Sequence, residues 1–187
     1  CACVQVRAQP APEAPGGRAD KAPVRAQCFM AVTANPHATD AAQAILVRGG
    51  SAVDAAIAAQ LVLGLVEPQS SGIGGGAFML VHDARRSRLH AYDGRETAPA
   101  AATAGRFLKP DGTPMAFREA VATGLAVGVP GAVRMLGLAH AKHGRLAWAE
   151  LFAPAIAMAE QGFAVSPRLH TLIGLEKYLS QPRARAY

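Results

Sequence analysis

Residues 70 to 99 hold the side chains and backbone best suited to gripping a small anion. The stretch reads Ser70-Ser71-Gly72-Ile73-Gly74-Gly75-Gly76, an apolar run from Ala77 to His82, a short basic turn, and a return ending in Tyr92-Asp93-Gly94-Arg95-Glu96-Thr97-Ala98-Pro99. Arg95 is the chemically suggestive residue. Its planar guanidinium can bind a carboxylate through two parallel hydrogen bonds, each worth roughly 1.5 to 3 kcal/mol where water is excluded. Asp93 and Glu96 flank it and are obvious ion-pair partners, able to aim the side chain without neutralising it. From these residues alone an arginine just past a strand end is usually a surface or ion-paired one, and its surroundings are what raise a ligand role.

The glycine cluster does not read as a phosphate loop. A dinucleotide fingerprint follows a strand and opens a helix, whereas this run follows a helical pattern and opens a strand. No Gly-Lys-Ser or Gly-Lys-Thr is present for a nucleoside triphosphate loop. Glycine here instead allows positive φ angles and close approach of the backbone to another surface.

Other chemistries find little support. The three cysteines, Cys1, Cys3 and Cys28, fall in the first thirty residues and cannot staple the later apolar segments. Cys1-Ala2-Cys3 lacks metal-binding spacing, and His140 and His143 have no accompanying ligand pattern and are expected on the exposed side of a helix, so no metal is implied. The net charge of +6 invites a nucleic-acid reading, but the basic residues are dispersed in sequence. The dense group Arg85, Arg86 and Arg88 falls in a hairpin loop, without RNA-stacking or zinc-finger signals. No nucleic-acid partner is expected.

The elements that must position Arg95 are readable from periodicity. Residues 29–34 suggest a buried strand stopped by Asn35-Pro36. A helix over 39–48 follows, capped by Thr39 or Asp40 and ended by Gly49-Gly50. Ser51 and Asp54 open a second helix as a capping box, and from Ala52 to Val66 Asp54 is its only charge, so it should be central and buried. Its roughly fifteen residues fall short of the roughly twenty that span a bilayer, and no transmembrane segment is expected. Residues 77–82 and 89–93 pair as a hairpin. Further helices are expected over 132–143, closed by Gly144; over 148–161, restarted at Pro154 and stopped by Gly162; and after Ser166-Pro167, with Leu169, Leu172, Ile173 and Leu179 at helical spacing.

With 187 residues the chain can bury a core of about one domain, or one piece of a larger one. Residues 1–27 are rich in Pro, Gly and polar side chains and read as a disordered leader or tether, leaving 28–187 as the folded part. Cys1 suits a lipid anchor, and a fragment boundary explains it equally well.

Five blocks, in order, resemble the gamma-glutamyltranspeptidase (glutathione hydrolase) family. They are residues 30–34 with 36–39, 45–59, 67–80 from Glu67-Pro68-Gln69 through the glycine run, 92–99, and Gly128-Val129-Pro130-Gly131. The resemblance covers about Met30 to Gly174 and corresponds to the N-terminal part of a large subunit, incomplete at its C-terminal end. It implies an α/β (α+β) fold, the αββα sandwich of N-terminal-nucleophile hydrolases, present only in part. It also implies a precursor that cuts itself before a threonine, whose hydroxyl and free amine then serve as nucleophile and base. The implied activity is transfer or hydrolysis of gamma-glutamyl amides such as glutathione, with no cofactor, in the periplasm or cell envelope. Arg95 matches the arginine that grips the substrate α-carboxylate.

In the family the nucleophile lies in a later segment, and Thr33, Thr39, Thr97, Thr103, Thr113, Thr123 and Thr171 do not match the cleavage motif, so no catalytic nucleophile is assigned here. The missing large-subunit and small-subunit segments are thus implied partners, and the chain alone should be inactive. A related amidase of the cephalosporin or glutaryl acylase type shares the scaffold. A truncated, non-catalytic surface lipoprotein would fit Cys1 and the leader.

Overall fold

A computed structural model describes residues 22–176. Its centre is a helical hairpin of α1 (Pro36–Val47) and α2 (Ala52–Val66). Four residues join the two helices, and the turn is dictated by glycine. Gly49 takes φ +88°, where a Cβ would be strained, while Gly49 N–H donates to Leu46 O and Gly50 N–H to Ile45 O, each at 3.0 Å. As the uninterrupted apolar pattern requires, α2 is buried nearly all round, with Val53, Ile57, Ala58, Val62 and Val66 at 3% exposure or less.

The capping box at the start of α2 forms as expected, Ser51 N–H donating to Asp54 Oδ2 at 2.8 Å and Asp54 N–H to Ser51 Oγ at 3.1 Å. Asp54 does more than cap. Fully buried, its Oδ2 also accepts the backbone N–H groups of Arg145 at 2.9 Å and Leu146 at 3.3 Å, 91 and 92 residues away in the chain.

The sheet is a two-stranded antiparallel hairpin, β1 (Ala77–Asp83) and β2 (Arg88–Gly94), in register from Ala77 opposite Gly94 to Asp83 opposite Arg88. The side-chain period of two divides it cleanly. Ala77, Met79, Val81 and Tyr92 pack against the helical core, while Phe78, Leu80 and Leu89 on the other face stay 65–69% exposed. One face is therefore layered on helices, and the other is an apolar surface of the kind a second sheet covers. After the hairpin come α3 (Phe117–Val121), a 3-10 turn at Gly124–Ala126, α4 (Ala132–His143), a 3-10 turn at Trp148–Phe152, α5 (Ala153–Gln161) and α6 (Pro167–Leu175).

Several expectations need correction. Residues 29–34 form no strand: Val32 and Ala34 are exposed, and the sheet of the described residues contains β1 and β2 alone, so this stretch has no ladder to join. The first helix starts at Pro36, with Asn35 as cap accepting from His37 N–H at 3.1 Å. Proline at the first helical position is pre-set for that role, so Asn35-Pro36 opens the helix. Thr39 instead lies 2.8 Å from Thr33 in a hydroxyl pair. The short α3 and the turn after it carried too little apolar period to be seen in sequence. The leader, Cys1, Cys3 and Leu179 lie largely or wholly outside the described residues, and Cys28 is free and exposed.

A second buried carboxylate joins three parts of the chain. Glu67, at the end of α2, receives Asn35 Nδ2–H on Oε1 at 3.2 Å and Gln69 Nε2–H on Oε2 at 2.6 Å, with Arg168 Nε of α6 3.5 Å from Oε2. Removing it strands the buried Asn35 amide and takes one carboxylate contact from Arg168. Glu67→Ala should cost about 3 kcal/mol, lowering the thermal midpoint by about 6 to 12 °C in a melting experiment, with Glu67→Gln losing about half of that.

Candidate functional site

Three glycine-bearing segments, far apart in sequence, meet behind Arg95. β2 delivers the chain to Gly94, which is buried against Met135 of α4. The glycine run lies alongside, its Gly75 O accepting both Gly131 N–H and Ala132 N–H at 3.1 Å as α4 begins. The segment after Arg95 is pinned in turn by an isolated bridge, Val129 N–H donating to Thr97 O at 2.9 Å and Thr97 N–H to Val129 O at 3.3 Å. Arg95 therefore stands on backbone held from both sides.

These contacts explain the glycines by close approach. A Cβ on Gly76 would meet Glu96 N at 2.9 Å as well as the Glu96 carboxylate, and one on Gly131 would meet Gly94 C at 2.8 Å and Arg95 O at 3.0 Å. The other expected reason, positive φ within residues 72–76, is not realised; positive φ among the described glycines occurs at Gly49, Gly112 and Gly162. Gly131→Ala should push α4 away from the Arg95 backbone. It is expected to cost about 1 to 3 kcal/mol by overpacking, read as a lower thermal midpoint in a melting experiment.

Arg95 itself is 68% exposed and its Nη1 lies 3.0 Å from Glu96 Oε2, while its backbone N–H donates to Asp93 Oδ1 at 2.9 Å. Both acids flanking it in sequence thus engage it, one through the side chain and one through the backbone. An ion pair this open to water is worth about 0 to 1 kcal/mol, so an incoming carboxylate can displace Glu96 cheaply. The backbone is fixed and the guanidinium is free to turn.

At the far end of the hairpin the structure gathers basic groups that sequence left dispersed. Lys142, at the end of α4, and Arg145, just past it, come beside Arg85, Arg86 and Arg88, and Lys142 Nζ donates to His90 Nδ1 at 3.1 Å. Contrary to expectation His140 and His143 are half-buried and engaged within the fold. His143 Nε2 is 2.8 Å from Tyr92 Oη, and His140 Nε2 is 2.9 Å from Leu146 O and 3.6 Å from Asp54 Oδ1. The signal for this clustering was the last-turn run His140, Lys142, His143, which complements a helix C-terminus, but its spatial neighbour could not be read from it. Among the described residues no group of three or more His, Cys, Asp or Glu is placed to hold a metal, and no helix is long and apolar enough to cross a membrane.

Helices layered on one face of a hairpin make an α+β arrangement, and its likeness to solved structures identifies it as part of an N-terminal-nucleophile hydrolase fold. The gamma-glutamyltranspeptidase family model matches residues 38–187, and the chain belongs to that family. It is 41% identical over 157 residues to the glutathione hydrolase proenzyme of Bacillus subtilis strain 168, covering 83% of this chain and 27% of the relative. The crystal structure of Helicobacter pylori gamma-glutamyltranspeptidase superposes with a TM-score of 0.81 at 33% identity, over 88% of this chain and 48% of that one. A cephalosporin acylase from Bacillus halodurans superposes at 0.62 and 32% identity, over 83% and 29%. The chain thus spans about a quarter of the curated relative's length.

Proposed function

We propose that this chain forms the carboxylate-binding wall of a gamma-glutamyl pocket, in an enzyme that hydrolyses glutathione and related gamma-glutamyl amides or transfers their acyl group. The observation that carries this is the convergence of residues 72–76, 94–97 and 128–131 on the backbone of Arg95. Such clamping fixes where the guanidinium begins, while its weak partner leaves the charge available. Arg95 would form two parallel hydrogen bonds to the α-carboxylate of the substrate, with Glu96 turned aside and free to accept from the neighbouring ammonium.

The bond-breaking step falls to a threonine outside these 187 residues, released as an N-terminus by cleavage of a proenzyme. Its hydroxyl adds to the gamma-amide carbonyl as its own α-amine takes the proton. The C–N bond then breaks, the departing amine carries the proton away, and an ester to the threonine remains. Water or an acceptor amine attacks that ester, giving glutamate or a new gamma-glutamyl amide. An envelope location accompanies this reading and is checked by fractionating cells that express the full-length protein.

The similarity to the cephalosporin acylase favours a second reading, cleavage of a side-chain amide from a larger substrate on the same scaffold. A gamma-glutamyl and a glutaryl group both end in a carboxylate and differ in the amino group beside it, so that group discriminates. With the mature full-length enzyme, turnover of gamma-glutamyl anilide well above glutaryl anilide supports the first reading. The reverse preference replaces it with the second.

A further inference from the structure

The tip of the hairpin carries a feature that gamma-glutamyl chemistry does not use. Two hollows adjoin there and share Arg86 and His143. The larger, about 410 Å3, is lined by Arg85, Arg145, His82 and Ser51 among others; the smaller, about 290 Å3, by Arg88, His90 and Lys142. Asp83 is the sole carboxylate on either lining, and it is already committed to Arg86, whose Nη1 lies 3.0 Å from Asp83 Oδ2. Against it stand the cations Arg85, Arg86, Arg88, Lys142 and Arg145.

We infer that these paired hollows are a binding site for an anion carrying two or more phosphate-type groups, separate from the Arg95 pocket. Three observations support it. First, among the described residues the side chains of Arg85, Arg88 and Arg145 have no ion-pair partner, so their forks are open for planar, two-point contact with oxyanions. Second, Lys142 has only donors, so at 3.1 Å His90 Nδ1 must be the acceptor. His90 is therefore neutral, with its Nε2–H left as a donor.

Third, the local field is positive enough to act on that ring. Desolvation first, then the charges of Lys142, His143 and Arg88, hold His90 below the ordinary histidine range against the weaker opposite pull of Asp83. Desolvation acts against any charge, but the contributions of Lys142, His143 and Arg88 are of the sign that favours an anion beside the ring. Two hollows side by side suit two charged groups better than one. Nucleic acid is the poorer fit: Tyr92 is tied to His143 and offers no free face for base stacking. Separation from Arg95 follows from strand length, since β2 runs from Arg88 to Gly94, about 20 Å at 3.4 Å per residue.

The test uses full-length protein, titrated calorimetrically with inorganic pyrophosphate at low salt, while the histidine carbons are followed by NMR. Saturable binding is expected, weakening about tenfold or more when Arg85, Arg88 and Arg145 are all changed to Gln, with the pKa of His90 rising as pyrophosphate fills the site. Unchanged melting of that variant shows it folded; should it unfold, Arg88→Gln alone replaces it. In a parallel arm, vesicles containing cardiolipin, whose headgroup carries two phosphates, are sedimented with the protein. Retention that pyrophosphate competes away identifies a lipid headgroup as the phosphate source, and pyrophosphate binding without retention identifies a soluble one. No saturable binding in either arm, or binding indifferent to the arginine changes, overturns the site.

Discussion

Replacing Arg95 by alanine in the mature full-length enzyme should raise KM for a gamma-glutamyl anilide by about 100-fold, with a smaller fall in kcat. The magnitude follows from two charge-assisted bonds to the substrate carboxylate, together about 3 kcal/mol, at about 1.4 kcal/mol per decade. The split follows from position: the carboxylate is remote from the scissile amide and is held similarly in ground and transition states, so uniform binding is what is lost. Arg95→Lys should recover only part, because an ammonium supplies the charge without the fork. Steady-state kinetics on the three proteins check this. Folding is not at risk, since the side chain is mostly exposed and its one ion pair is weak.

Asp54→Ala should cost about 3 to 5 kcal/mol of stability. The carboxylate is 0% exposed, and its removal orphans the backbone N–H groups of Ser51, Arg145 and Leu146 together. The same carboxylate gives a pH signature. Burial pushes its pKa up, but the N–H bonds from Ser51, Arg145 and Leu146 outweigh that and leave it below the ordinary 3.8. A group depressed in the folded state stabilises above its unfolded pKa and loses that contribution as pH falls through its folded one. Wild-type stability should therefore drop more steeply below about pH 4 than that of Asp54→Asn, which has no proton to gain there. Chemical denaturation across that range measures the difference.

Much of this was legible in the chain because it is written in local signals. Ser51 and Asp54 announce a capping box, Gly144 and Gly162 end helices, Pro154 restarts one, and the hairpin alternates with a period of two; all appear as read. Where the reading failed, a partner was needed. Residues 29–34 have strand composition but no ladder among the described residues. Asn35-Pro36 is ambiguous in sequence, since the pair can end a strand or begin a helix, and tertiary burial of Asn35 against Glu67 decides it.

The site divides in the same way. Arg95 and its two acids were visible as neighbours, and the family blocks marked the glycines. That Gly131 abuts Gly94 and Gly75 receives the first N–H groups of α4 is a fact of packing between residues 37 and 56 apart in the chain, with no local trace. The basic hollows were missed for a like reason: Arg85 and Lys142 are far apart until α4 packs on β2.

The most direct measurement is a crystal structure of the full-length enzyme with glutamate bound. The Arg95 guanidinium should have left Glu96 and lie about 2.7 to 2.9 Å from both oxygens of the α-carboxylate. Glutamate seated elsewhere, or held with Arg95 still paired to Glu96, would contradict the assignment.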